Sequence, residues 1–287
     1  MQLEYHILDV FTDRAFSGNP LAVVLGADGL SDGQMRRLAR EFNLSETIFV
    51  QAPADPAHAA QVRIWFPTAE IPFAGHPTIG CAVLLAELRG LSGPVVLEER
   101  AGLVPVTLRD GLAELTAPVV PHAVDVPVAA EAVAAALGLD RVTFAGVFGG
   151  GPQFLFARLP DLAALAAASP REPLWSGLMA AAGVDSIWAY VETGPDRVRA
   201  RMFSPTAGIP EDPATGSATA ILAAVRLALG QLPQGESTVT VDQGVEMGRP
   251  SRLRLTAVVK DGGLVAARVA GRAVRVAQGR IRVPEED

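Results

Sequence analysis

The sequence predicts an α+β fold of two pseudo-symmetric domains, each a mixed or antiparallel β-sheet curled around a central buried α-helix. Three observations predict it. The chain repeats itself, because RIWFPTAEIPFAGHPTIG from Arg63 to Gly80 returns as RMFSPTAGIPEDPATG from Arg201 to Gly216. Arg63, Trp65, Pro67, Thr68, Ala69, Ile71 and Pro72 fall on Arg201, Phe203, Pro205, Thr206, Ala207, Ile209 and Pro210 at a single offset. Dropping Phe73 and Ala74 then sets His76-Pro77 against Asp212-Pro213 and Gly80 against Gly216. Secondly, the helix expected after each copy, Thr78 to Leu88 and Ala214 to Leu229, is apolar nearly all round, as a helix through the centre of a domain must be. Thirdly, short strands and helices follow one another in mixed order in both halves.

The elements follow in order. Leu3 to Phe11 reads as a strand, and Ser17-Gly18-Asn19-Pro20 as a turn into the apolar strand Leu21 to Leu25. Phe16, Gly18 and Pro20 of this turn are echoed by Phe148, Gly150 and Pro152. Ser31 or Asp32 caps a helix reaching about Glu41, with Met35, Leu38 and Ala39 as its apolar stripe. Asn43 to Val50 then turns from helix into strand, and Gly183 to Tyr190 is its counterpart. In each long repeat a proline is expected in the first position of the helix, where its missing N–H costs nothing, which places His76 and Asp212 at the N-caps. Val95 to Leu97 and Val104 to Leu115 read as strands, with a hairpin turn at Arg109-Asp110-Gly111. Val239 to Val241, Leu253 to Val259 and Leu264 to Val269 repeat that pattern around Lys260 to Gly263. Gly149-Gly150-Gly151 lacks the following helix of a phosphate loop and reads as a turn.

At 287 residues the chain has room for two domains, expected over 1–118 and 128–287, with the Pro-rich stretch Pro118 to Pro127 as linker. The last strand, about 272–283, has no partner in the first half and is expected to cross back to it. The net charge is −7 and the basic residues are scattered, which argues against nucleic acid as a partner. Although 49% of the residues are hydrophobic, no apolar run approaches the roughly twenty needed to span a bilayer. The opening MQLEYHILDVF alternates like a strand and lacks the marks of a signal peptide, so a cytoplasmic protein is expected. Cys81 is the only cysteine, which excludes an internal disulfide and a two-thiol acid/base pair, and it reads as a small buried hydrophobe. Four histidines without ligand spacing give no metal signal.

Candidate chemistry rests on an asymmetry between the halves. Glu46 falls where the second copy has a serine, and a carboxylate entering an apolar strand is costly to bury unless it is paired or used. If the halves pair about a pseudo-two-fold axis, both central helices point their N-termini into one cleft, with Glu46, His76, Asp212 and Ser217 around a small anionic substrate. Nucleophile elbow, P-loop and dinucleotide fingerprint are all missing, which leaves acid/base chemistry without a cofactor. Each residue also has a plainer explanation: Asp212 as a helix cap, His76 as a structural histidine, Ser217 bonding back into its helix, Glu46 as a surface residue. It is the convergence of these positions that favours chemistry.

GNPLAVVL at Gly18 to Leu25, AREFNLSETIFV at Ala39 to Val50, PFAGHPTIG at Pro72 to Gly80, RMFSPTAGIPEDPATGSA at Arg201 to Ala218 and QGVEMGRPS at Gln243 to Ser251 together resemble the PhzF family of phenazine biosynthesis. The resemblance implies a diaminopimelate epimerase-like fold, a homodimer, and a proton-shift isomerisation of a dihydro-hydroxyanthranilate needing neither metal nor organic cofactor. It places the acid/base glutamate on Glu46 and the cleft-lining histidine, aspartate and serine on His76, Asp212 and Ser217. Gly75 and Gly216 fall where the backbone approaches the ligand, and Asn19 at the cleft edge. The related epimerases use a cysteine pair that this chain lacks. Val142 to Phe156, expected near the substrate ring, is apolar. The leading expectation is an isomerase acting on a small unsaturated carboxylate. The alternatives are an amino-acid epimerase or racemase, in which Glu46 works with Asp212 or His76, and a non-catalytic binder of small anions.

Overall fold

The computed structural model describes residues 1–91 and 93–286, with Ala207 described by its main chain only. It divides into two compact units, one formed by Met1–Thr116 with Ala270–Asp287, the other by Ala117–Val269.

In the first unit the chain runs β1 (Gln2–Val10), β2 (Asn19–Leu25), α1 (Asp32–Phe42), β3 (Glu46–Gln51), β4 (Ala60–Trp65), β5 (Glu70–Ile71), α2 (Gly75–Arg89), β6 (Pro94–Glu99), β7 (Gly102–Arg109) and β8 (Leu112–Thr116). Ser31 caps α1 in a capping box: its hydroxyl accepts from the Gln34 amide at 3.3 Å, and the Gln34 side chain accepts from the Ser31 amide at 3.1 Å. The helix ends at Asn43, whose φ of 51° is a left-handed conformation that asparagine tolerates better than most residues. β2 and β3 are parallel, as are β4 and β6, with a helix-containing crossover in each case. The remaining pairs, β1–β2, β3–β4, β4–β5, β6–β7 and β7–β8, are antiparallel. The β7–β8 turn has positive φ at both Asp110 and Gly111, the geometry that matches the twist of a tight hairpin.

The sheet curls around α2, which touches β1, β2, β3, β6, β7 and β8. Accordingly His76 to Ala82, Leu84 and Leu85 are buried, on every side of the helix. α2 lies so close to the first two strands that a Cβ on Gly80 would stand 2.5 Å from Leu21 and 2.8 Å from Val10, both fully buried. Gly80→Val is therefore expected to lower the unfolding free energy by roughly 2–3 kcal/mol, read as a lower urea midpoint. An unchanged midpoint would mean the helix can move away at no cost.

The second unit repeats this plan: β9 (His122–Ala123), α3 (Ala130–Ala136), β10 (Phe144–Gly149), β11 (Gln153–Arg158), α4 (Leu162–Ala167), α5 (Leu174–Ala182), β12 (Ile187–Gly194), β13 (Arg197–Ser204), β14 (Ile209–Asp212), α6 (Gly216–Ala228), β15 (Gly235–Gln243), β16 (Ser251–Lys260) and β17 (Gly263–Gly271). Parallel pairs β11–β12 and β13–β15 stand where β2–β3 and β4–β6 stand in the first unit. Within the Pro-rich stretch, β9 pairs antiparallel with β10, so this segment is an ordered part of the second unit. α6 is buried from Gly216 to Arg226 except at Ser217. A separate core gathers Trp175, Met179, Leu155, Ile187 and Phe203. The final strand, β18 (Ala273–Arg282), pairs antiparallel with β1 along its length. Among the described residues no helix is long and apolar enough to cross a membrane.

One feature of the repeat is invisible to alignment. Arg63 grips Glu70 through two bonds of 2.7 and 2.6 Å, and Arg201 grips Glu211 at 2.9 and 2.8 Å. Each guanidinium also lies over the aromatic residue two positions on, Trp65 at 5.6 Å and Phe203 at 4.6 Å. Glu70 precedes Ile71 while Glu211 follows Ile209, so the acid has moved along the chain while the fork-to-carboxylate pair is kept.

Candidate active site

Two local expectations about the helix starts need correction. Ala74, in extended conformation, is the cap of α2, because its carbonyl accepts from the Thr78 amide at 3.3 Å. His76 is thus the second residue of the helix and Pro77 the third, still within the first turn where a missing N–H leaves no bond unmade. In the second unit the cap is Thr215, whose carbonyl accepts from Thr219 at 3.0 Å, and Asp212 ends β14 ahead of the helix. Asp212 and Thr215 are instead held outside the helix by a hydrogen bond to each other and by bonds to Gln243.

In the first unit, Glu46 opens β3 opposite Leu21 of β2, and its carboxylate Oε2 lies 3.3 Å from Nδ1 of His76. The imidazole is 4% exposed and the carboxylate 13%, so the acid keeps a path to solvent or ligand while the histidine has almost none. Burial drives the His76 pKa down to about 3, against a smaller opposing effect of the Pro20 main chain, and the ring is neutral at physiological pH. The contact is therefore between an acid and a neutral imidazole, not an ion pair. Among the described residues, Nε2 of His76 has no hydrogen-bond partner. Asn19 is buried at the start of β2, two residues before Leu21, and Gly75 is the first residue of α2. Cys81 lies one turn further along, fully buried, with its thiol pKa pushed up by burial and by the nearby Glu99, as suits an inert side chain.

The second unit holds a different constellation. The Thr215 hydroxyl donates to Asp212 Oδ2 at 2.6 Å. Gln243 then closes the loop: its amide nitrogen donates to the Asp212 carbonyl at 2.8 Å and to Thr215 Oγ1 at 2.9 Å. Its oxygen accepts from the Thr215 amide at 3.3 Å and from the Trp188 indole at 3.1 Å. Both donors and both lone pairs of the glutamine are used. Gly244 follows with φ of 73°, where a Cβ would lie 2.6 Å from the carbonyls of Pro213 and Arg249, so only glycine lets this loop close on the Asp212–Thr215 segment. Gly216 and Ser217 are the first two residues of α6, whose opening N–H groups have no partner within the helix. Thr215, Gln243 and Trp188 escaped the sequence reading. The only signal was the QGVEMGRPS stretch, quoted without a role for its glutamine. Among the described residues no cluster of His, Cys, Asp and Glu could hold a metal ion.

The sequence model of the family described as phenazine biosynthesis-like protein, PhzC-PhzF, matches residues 8–279. This chain belongs to that family. Among PhzF-family relatives, an uncharacterized isomerase of Mesorhizobium japonicum is 39% identical over 301 residues, covering 96% of this chain and 98% of its own. A trans-2,3-dihydro-3-hydroxyanthranilate isomerase of Pseudomonas aeruginosa is 36% identical over 291 residues, with the same coverage of each. The crystal structure of a PhzF-family protein from Bacillus anthracis matches 99% of this chain and all of its own with a TM-score of 0.87, at 23% identity. The α+β fold of two similar halves is that of the PhzF family, and the protein is an isomerase.

Proposed function

We propose that the protein is a cofactor-independent isomerase that moves a proton on a small unsaturated carboxylate, with Glu46 as the acid/base group. The observation carrying this reading is the Glu46–His76 contact: a carboxylate with a remaining path outward, backed by an imidazole that burial keeps neutral. With Nδ1 facing the carboxylate, the tautomer protonated at Nδ1 is favoured, and the neutral, buried ring holds Glu46 in place. Glu46 as carboxylate takes a proton from an acidic or allylic carbon, and the electron pair delocalises into the adjacent unsaturated system. The same proton returns from the carboxyl group to another carbon of that system, shifting the double bond and regenerating the carboxylate.

Such a shift needs the transient negative charge to be held. Main-chain N–H groups at Gly75 and His76, and at Gly216 and Ser217, are of the kind that stabilise a carboxylate or a developing enolate. In this reading Asp212 is a second acid/base group, and Asn19 and Ser217 contact substrate. The chemistry of the Pseudomonas aeruginosa relative, 36% identical over almost the whole chain, makes a dihydro-hydroxyanthranilate the first substrate to test. The proposal extends to a homodimer in the cytoplasm, supported by the family resemblance and checked by sedimentation.

Incubation with trans-2,3-dihydro-3-hydroxyanthranilate in heavy water tests the reaction type. The expected result is a moved double bond with deuterium at the receiving carbon wherever the proton on Glu46 exchanges before delivery. Inverted configuration at an unmoved double bond would replace this reading by epimerisation. Binding of that compound without exchange or rearrangement would remove it as substrate.

A further inference from the structure

A buried carboxylate, Glu99, lies behind the first turn of α2 and has no part in the reaction above. It ends β6 at 8% exposure, and its Oε1 is 2.6 Å from Oγ1 of Thr78. That hydroxyl is also 2.7 Å from the carbonyl of Ala74, the cap of α2. A threonine has one hydroxyl proton. The Ala74 carbonyl can only accept, so the Thr78 proton goes there, and a short contact on the other side then requires a proton from Glu99. We propose that Glu99 is held as a neutral carboxylic acid and is a positioning residue, donating to Thr78 and through it pinning the turn of α2 that carries Gly75 and His76.

The surrounding geometry makes this turn a clamp. Ala101 N–H donates to the Pro72 carbonyl at 3.1 Å, and Arg100 reaches Glu70 at 3.1 Å. Three successive residues, Glu99 to Ala101, thus hold the segment entering α2 at three points. The neighbouring groups do not supply a counter-charge. On α2 the titratable groups are Cys81, a buried thiol that Glu99 influences, His76, whose ring is neutral, and Glu87 and Arg89 farther along the helix. On β7 the residue opposite is Gly102. Arg100 is engaged with Glu70, and Glu98, next on β6, takes hydrogen bonds from His58 and from the amides of Ala54 and Asp55. Burial without a cation pushes the Glu99 pKa up to about 8 from its ordinary 4.5, against a smaller opposing effect of the Thr78 contact.

Between those two values the folded protein keeps a proton on Glu99 that the unfolded chain releases, so the contribution of this group to stability falls as pH rises through that window. The consequence for catalysis rests on the role of His76 proposed above, whereas the protonation and the clamp do not, and the experiment separates them. Infrared spectra near neutral pH are expected to show the carbonyl band of a protonated carboxyl group that Glu99→Gln removes. The urea midpoint of the native protein should fall across the window relative to that of Glu99→Gln, which shares every other titration, that of buried His76 included. Ring resonances of isotopically labelled His76 should shift in Glu99→Ala and in the near-isosteric Thr78→Val, and stay in place in Glu99→Gln, whose amide can still donate to Thr78. Lack of the band, or its persistence in Glu99→Gln, overturns the neutral acid. His76 resonances unmoved by Glu99→Ala and Thr78→Val overturn the positioning role.

Discussion

Glu46→Gln is expected to lower kcat by roughly ten-thousandfold, the upper end of what a positioned general base contributes, while substrate affinity stays within about tenfold, or 1.4 kcal/mol. Glutamine keeps the length and shape of the side chain, and its amide oxygen can still receive a bond from His76, whose Nδ1 is 3.3 Å away. What it loses is the ability to take a proton. The split between kcat and affinity is therefore the diagnostic feature, since a variant damaged in its fold would lose both. Urea unfolding of the variant should match that of the native protein, because the replaced group is neither fully buried nor a core element. Moving the carboxylate back by one methylene, in Glu46→Asp, should recover part of the rate. Full activity in Glu46→Gln would take Glu46 out of the mechanism and turn attention to His76 or Asp212.

Glu46 stands out in the sequence as a candidate because the second copy shows what an ordinary residue does at the same place. Ser186 there donates to Ser204 at 2.8 Å, and Ser204 donates to the Asp185 carbonyl at 3.1 Å, a self-contained hydroxyl pair with no demand for chemistry. The architecture was equally legible. A helix apolar on all sides can be housed only at the centre of a sheet, and the doubled strand-turn-helix motif gave two of them. The helix starts were less so. Proline is tolerated anywhere in a first turn, so Pro77 and Pro213 mark the neighbourhood of a start without fixing it, and the caps turned out to be Ala74 and Thr215. Residues whose role lies in what they hold were hidden altogether. Gln243 and Glu99 look like ordinary polar positions in strands, and only the three-dimensional placement of donors and acceptors shows what each of them meets. The paired Arg63–Glu70 and Arg201–Glu211 forks were missed for a related reason, since alignment tracks positions while a salt bridge tracks space.

Gln243→Leu is expected to lower stability by roughly 3–5 kcal/mol, among the larger effects available to a single substitution. Leucine has nearly the right volume for this fully buried site, so the loss is polar rather than steric. It leaves the Trp188 indole N–H, the Thr215 amide and the Asp212 carbonyl without the glutamine that satisfies them, at roughly 1–3 kcal/mol for each group that finds no other partner. These costs overlap, because the loop can relax to rescue some of them, and the lower end of the range corresponds to such relaxation. Urea unfolding followed by tryptophan fluorescence, to which Trp188 in the network contributes with Trp65 and Trp175, measures the change. The Thr215 hydroxyl would keep its bond to Asp212 but lose the donor that orients it, so Asp212 should also become more mobile. Reaction rate should then fall further than stability alone accounts for under conditions where the variant is fully folded. A loss below about 1 kcal/mol would show that water or the main chain replaces the glutamine readily, and that the Asp212–Thr215 segment is held by the Gly244 turn alone.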